Sequence, residues 1–154
     1  INKATVPYYY EAIKKNGISL QQIHKWALIS LLIPIIISSI ISIIPESLIL
    51  WFLGNQFLGT KYYIVIFSIT ATLAIPYALL VNYLFYYGKN KQIAFCSILS
   101  TLIYIVALIC LTFTDIKYIP FASILAALSI LPILYFYTKK IDLNNNISNE
   151  NINN

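Results

Sequence analysis

Asn82, Lys89 and Lys91 are the residues whose type and spacing could do chemistry in this chain. An amide inside an apolar stretch needs a hydrogen-bond partner, because burying it unpaired costs about 1–3 kcal/mol. On a continuing helix, Asn82 stands about two turns before Lys89, so both can look toward one mouth. Lys91 follows in the segment Gly88-Lys89-Asn90-Lys91. The three could edge a path for an anionic head group. The plainer reading is one packing amide and two charges that set topology.

A second set is mechanical. Pro34, Pro76 and Pro132 lie inside apolar stretches. Proline removes a backbone donor and its ring collides with the preceding turn, so each is a candidate bending point, or hinge.

The rest of the polar inventory argues against catalysis. No apolar stretch carries an Asp, Glu, Lys or His in its core, where such a group would mark a proton relay or an ion site. Glu46 and Asp115 fall at stretch ends. His24 stands beside Lys25 with no second His or Cys nearby, which reads as a surface residue rather than a metal ligand. Neither a nucleophile elbow nor a phosphate-cradling loop nor an HExxH pair occurs. Hydroxyls such as Ser38, Ser39, Ser42, Thr70, Ser97, Ser100, Thr101 and Ser123 read as groups that bond back to their own helix or bridge two helices. Cys96 and Cys110 share one helix about 21 Å apart, too far for a disulfide. The expectation is a protein that is not an enzyme and holds no metal and no cofactor.

Membrane-spanning helices must position these residues. The chain has 154 residues, 60% of them hydrophobic and 10% charged. Soluble domains run nearer about 45–50% apolar and about 25% charged, so composition excludes a soluble globular domain. Between Lys61 and Lys89 there is no charge at all, and a crossing needs only about 20 apolar residues. Stretches at about 26–44, 62–86, 93–113 and 118–137 meet that requirement, with Pro34, Pro76 and Pro132 inside them and Pro120 in a first turn. The fold class expected is all-α and integral to the membrane, four transmembrane helices arranged as two hairpins. Residues 47–53 are too short to cross and read as an interfacial helix.

Flanking segments complete the plan. Residues 1–25 read as a cytoplasmic loop with the end of a helix, closed by Asn16-Gly17 with Gly17 in the left-handed position. Ser19 and Gln22 then have capping-box spacing. Residues 138–154 form an Asn-rich tail with little apolar surface to bury, predicted to be disordered. The chain begins at Ile1 without a signal peptide, which reads as a piece lacking its N-terminal part. Eight lysines fall at one end of the spans (Lys3, Lys14, Lys15, Lys25, Lys89, Lys91, Lys139, Lys140) and two, Lys61 and Lys117, at the other. The positive-inside rule places the eight in the cytoplasm, with both chain ends. The net charge of +5 is therefore a topology signal rather than a nucleic-acid footprint.

The order of features resembles the C-terminal part of the polysaccharide-transporter branch of the MOP superfamily, the Wzx-type O-antigen and lipid-linked oligosaccharide flippases. The matching pieces are Thr5-Val6-Pro7-Tyr8-Tyr9-Tyr10, then the run from Ile44 to Gly54 that contains Pro45, Glu46 and Trp51, then Phe57 to Tyr63. Pro76 follows, and last comes Asn82-Tyr83-Leu84-Phe85-Tyr86-Tyr87-Gly88-Lys89-Asn90-Lys91, a span closed by Gly-Lys-x-Lys before the next span. The resemblance implies the last four spans of a larger helical-bundle transporter in the bacterial cytoplasmic (inner) membrane. Such a transporter translocates a polyprenyl-linked oligosaccharide, an O-antigen or capsular repeat unit, by alternating access. Its implied partners are membrane lipid, the lipid-linked glycan and the missing N-terminal helices of the same protein, with no nucleic acid. Two other classes stay open: a segment of a membrane-embedded glycan-modifying enzyme, which would gather charged or His residues at one depth, and a small four-span partner subunit.

Overall fold

The computed structural model describes residues 2–15 and 17–152. Among them there is no strand. Seven α-helices follow in order: α1 (Asn2–Lys14), α2 (Leu20–Ser30), α3 (Leu32–Ile43), α4 (Glu46–Leu53), α5 (Thr60–Tyr86), α6 (Asn90–Thr112) and α7 (Phe121–Ile152). Short 3-10 turns, Asn55–Phe57 and Ile116–Tyr118, stand before α5 and α7. Four segments are long and apolar enough to cross a membrane: Leu20–Ile43, Thr60–Tyr86, Asn90–Thr112 and Ile116–Ile141.

The first crossing is two helices rather than one kinked helix. α2 starts at a capping box: the Ser19 N–H donates to Gln22 Oε1 at 3.0 Å, and the Gln22 N–H donates to Ser19 Oγ at 3.3 Å. It ends at Ser30, and α3 begins at Leu32. The break at Leu31 lies one turn before the bend expected at Pro34. Pro34 has no N–H for the Ser30 carbonyl, and its ring pushes against that carbonyl, so the ladder fails at residue i−4. The Leu31 N–H bonds the Leu28 carbonyl at 3.1 Å, a tighter turn that closes α2.

The helices form two hairpins. α3 and α5 pack antiparallel, joined through α4; α6 and α7 form the second hairpin. The hairpins meet where α5 lies along α7, and α2 also reaches α7. At the far ends, Lys61 Nζ caps α3 by donating to the Ser42 carbonyl at 2.7 Å. Glu46 accepts from the Gly59 N–H at 2.8 Å, and the Tyr62 hydroxyl donates to the Lys117 carbonyl at 3.1 Å.

The core sits where α2, α5, α6 and α7 converge: Leu73, Leu80, Leu84, Cys96, Ile130 and Leu134 are all buried there. The outward faces stay apolar and uncovered, with Ile35, Ile98 and Phe136 each more than 60% exposed. In water such surface would drive aggregation; in hydrocarbon it is the expected finish. On α4, Trp51 and Phe52 are 84% and 81% exposed, the arrangement of a short helix that lies at an interface.

Three flanking segments differ from the expectation. α1 is a full helix packed on α5, where the Tyr9 hydroxyl donates to the Leu79 carbonyl at 3.0 Å. Burial pushes the Tyr9 hydroxyl pKa up, which keeps it a neutral donor. Gly17 is not left-handed; its N–H reaches the Ala12 carbonyl at 2.9 Å, and Asn16 lies outside the described residues. α7 runs on to Ile152 through the Asn-rich stretch for which disorder is the sequence expectation. Extending an anchored helix adds one bond per residue, without the penalty of starting one. Side chains beyond Ile141, and residues 153–154, lie outside the description.

Candidate functional site

Two of the three in-span prolines, Pro76 and Pro132, come together; Pro34 does not line the space they share. Leu31, Pro76 and Pro132 line one cavity of about 420 Å³ between α2, α5 and α7. Each proline leaves the carbonyl four residues earlier without its helical donor. For Pro132 that carbonyl belongs to Leu128, whose side chain lines the same cavity. The lining is otherwise aliphatic except for His24 and Tyr135.

His24 closes one end of this space. It is 8% exposed, against the expectation of a surface residue. Its Nε2 lies 2.7 Å from Thr138 Oγ1 on α7, and Thr138 is fully buried. The Thr138 hydroxyl donates its one proton to the Tyr135 carbonyl at 2.8 Å. The hydroxyl oxygen is then the acceptor, and His24 donates through Nε2. The Tyr135 ring covers the imidazole at a centroid distance of 4.1 Å, tilted 35°. The arrangement is a polar clasp between the first and last crossings, beside an apolar cavity lined by two prolines and by Leu31, where the first crossing breaks. The sequence did carry the signal for its burial: Leu20, Ile23, His24 and Ala27 recur at helical spacing on one face of α2, and all four are buried.

The residues expected to edge an anionic path are placed differently from one another. Asn82 is half-buried within α5, Lys89 is half-buried in the turn after it, and Lys91 is exposed on α6. They share none of the cavities between spans described here. The turn itself is tightly built. The Gly88 N–H bonds the Phe85 carbonyl at 3.0 Å and the Lys89 N–H bonds the Leu84 carbonyl at 2.9 Å, with Gly88 at φ 66°. That paired closure of a helix end requires a left-handed residue, which glycine supplies without strain. At the opposite end, the Lys117 N–H donates to the Asp115 carboxylate, and this bond first, with the nearby Lys117 ammonium, holds the carboxyl below its usual range.

Over 141 residues, 92% of this chain, it is 59% identical to a Haemophilus influenzae protein named for the Lsg locus. Over 144 residues it is 54% identical to a second protein of that organism, named as an uncharacterized membrane protein. The alignments cover 35% and 36% of those proteins, so the chain spans about a third of the length of the curated relatives it matches. No family model matches the chain, and no solved structure does. Four apolar crossings and a relative named as a membrane protein agree. The chain is an all-α integral membrane protein.

Proposed function

We propose that the chain is one part of a flippase that moves a polyprenyl-linked oligosaccharide across the bacterial cytoplasmic membrane by alternating access. The order of motifs from Thr5 to Lys91, similar to Wzx-type flippases, supports the reading. The observation that carries it is the convergence of Leu31, Pro76 and Pro132 on one cavity where the two hairpins meet. Alternating access needs elements that pivot about a shared region. The break at Leu31 and the two prolines beside it offer such a region, and the His24–Thr138 clasp gives the packed hairpins a polar contact to make and break, besides that of Thr70 with Ser123. Transport, rather than chemistry on the glycan, is the activity proposed. In this reading the lysine-rich end and both chain ends face the cytoplasm.

The test is a leaflet-accessibility assay in proteoliposomes containing the protein as its cell makes it, loaded with a fluorescent polyprenyl-pyrophosphate glycan. The reading expects protein-dependent movement of the glycan to the opposite leaflet. Glycan that stays in its original leaflet, with the protein correctly inserted, would contradict it.

A further inference from the structure

A second cavity, of about 430 Å³, opens between α5 and α6 with α7 as its floor. It differs in chemistry from the first. From α6 it takes Ser97, Ser100, Thr101 and Tyr104. Those positions recur as i, i+3, i+4, i+7, so one full face of the helix presents hydroxyls. Thr70 and Tyr77 enter from α5, and Ser123 from α7. Beside Ser123 the floor is Ala126 and Ala127, small enough to leave room. The opposite face of α6 carries Ile98, Leu102 and Val106, each more than half exposed. The hydroxyl face is therefore selective in direction.

The hydrogen bonds say what this face offers. Thr101 donates to the Ser97 carbonyl at 2.9 Å, and Ser123 donates to the Pro120 carbonyl at 2.7 Å while lying 2.9 Å from Thr70 Oγ1. A hydroxyl that donates to its own helix keeps lone pairs free. Thr101 Oγ1 thus keeps lone pairs, and Ser123 Oγ keeps one beside the proton it takes from Thr70, on a wall otherwise completed by Leu73, Ala74 and Ile130. The phenols of Tyr77 and Tyr104, one on each wall, supply donors and flat ring faces. No charged side chain lines the space. A charged ligand would enter uncompensated by any opposite charge. The volume lies within the range of about 300–1,000 Å³ usual for small-molecule sites.

We propose that this groove binds an uncharged, hydroxyl-rich ligand of the size of one or two neutral sugar rings. Ligand hydroxyls donate to the Ser and Thr oxygens of α6 and α7, and the Tyr77 and Tyr104 rings flank the ring faces. The inference deepens the flippase reading and rests on it only for what carries the sugar.

The experiment is thiol protection at Ser100→Cys in the protein within its own membrane, with the parent chain as background for Cys96 and Cys110. A charged methanethiosulfonate reagent reacts only with a thiol that meets water. The expected result is reaction at Ser100→Cys that slows several-fold with glucose, galactose or N-acetylglucosamine and not with glucuronate. Thr101→Cys serves if Ser100→Cys fails to insert. Absence of reaction, meaning that lipid or another helix fills the groove, overturns the proposal. So does a reaction rate that no neutral sugar changes. Normal flipping without protection removes the groove alone; protection without flipping removes the transport reading alone.

Discussion

Thr138 and Gly88 show what single residues settle. Thr138 holds His24 across two crossings. Interhelical hydrogen bonds within membranes are worth about 0.6 kcal/mol on average and about 1.7 at most. Thr138→Val should therefore lower stability in detergent by about 1 kcal/mol, read as an earlier thermal unfolding transition, while Thr138→Ser stays near the parent. Equal losses for Val and Ser would mean that packing, not the hydroxyl, matters. Gly88→Ala isolates backbone strain, because a Cβ there meets nothing within 4 Å. A left-handed alanine costs roughly 1–2 kcal/mol, and the same melting experiment should show that loss; an unchanged transition would mean the turn relaxes. Local chemistry of this kind was legible in part. The Ser19–Gln22 capping box follows from spacing alone. The His24 clasp did not, because its partner lies 114 positions away, although the periodicity of α2 marked His24 as inward-facing.

At the scale of elements, uncharged length did most of the predicting. A run without charge from Lys61 to Lys89 has room for one crossing, and α5 occupies it. The short run before it became α4, as its length required. What sequence misplaced was the break in the first crossing, because a proline acts on the carbonyl four residues upstream rather than at its own position. Pro76 tests whether an in-span proline is functional. It is fully buried inside an unbroken α5 and lines the shared cavity. Pro76→Ala restores a backbone donor, so the protein should insert normally and lose most of its transport cycling, measured by the leaflet assay beside a distance probe across the hairpins. Transport and cycling both at parent levels would remove the hinge.

For the whole molecule, the number of crossings was legible and their packing was not. Lipid-facing and helix-facing surfaces are equally apolar here, so periodicity cannot tell neighbours from solvent. That α7 lies between α5 and α6, and that Leu31, Pro76 and Pro132 share one cavity, comes from contacts between positions far apart in the chain. The lysines act at this scale too. If Asn82, Lys89 and Lys91 edge a path for an anionic head group, Lys89→Gln with Lys91→Gln should leave insertion unchanged and slow flipping several-fold. Normal insertion with normal flipping would reduce these lysines to topology signals.

The transport reading depends on crossings that zigzag through lipid with the lysine-rich turns inside the cell. The most direct measurement places a thiol at Asn90→Cys, in the bend between α5 and α6, and exposes intact cells to a membrane-impermeant maleimide, with the parent chain as background. The account predicts no labelling above background until the membrane is opened, then full labelling. Labelling from outside intact cells would invert the arrangement, and the transport reading with it.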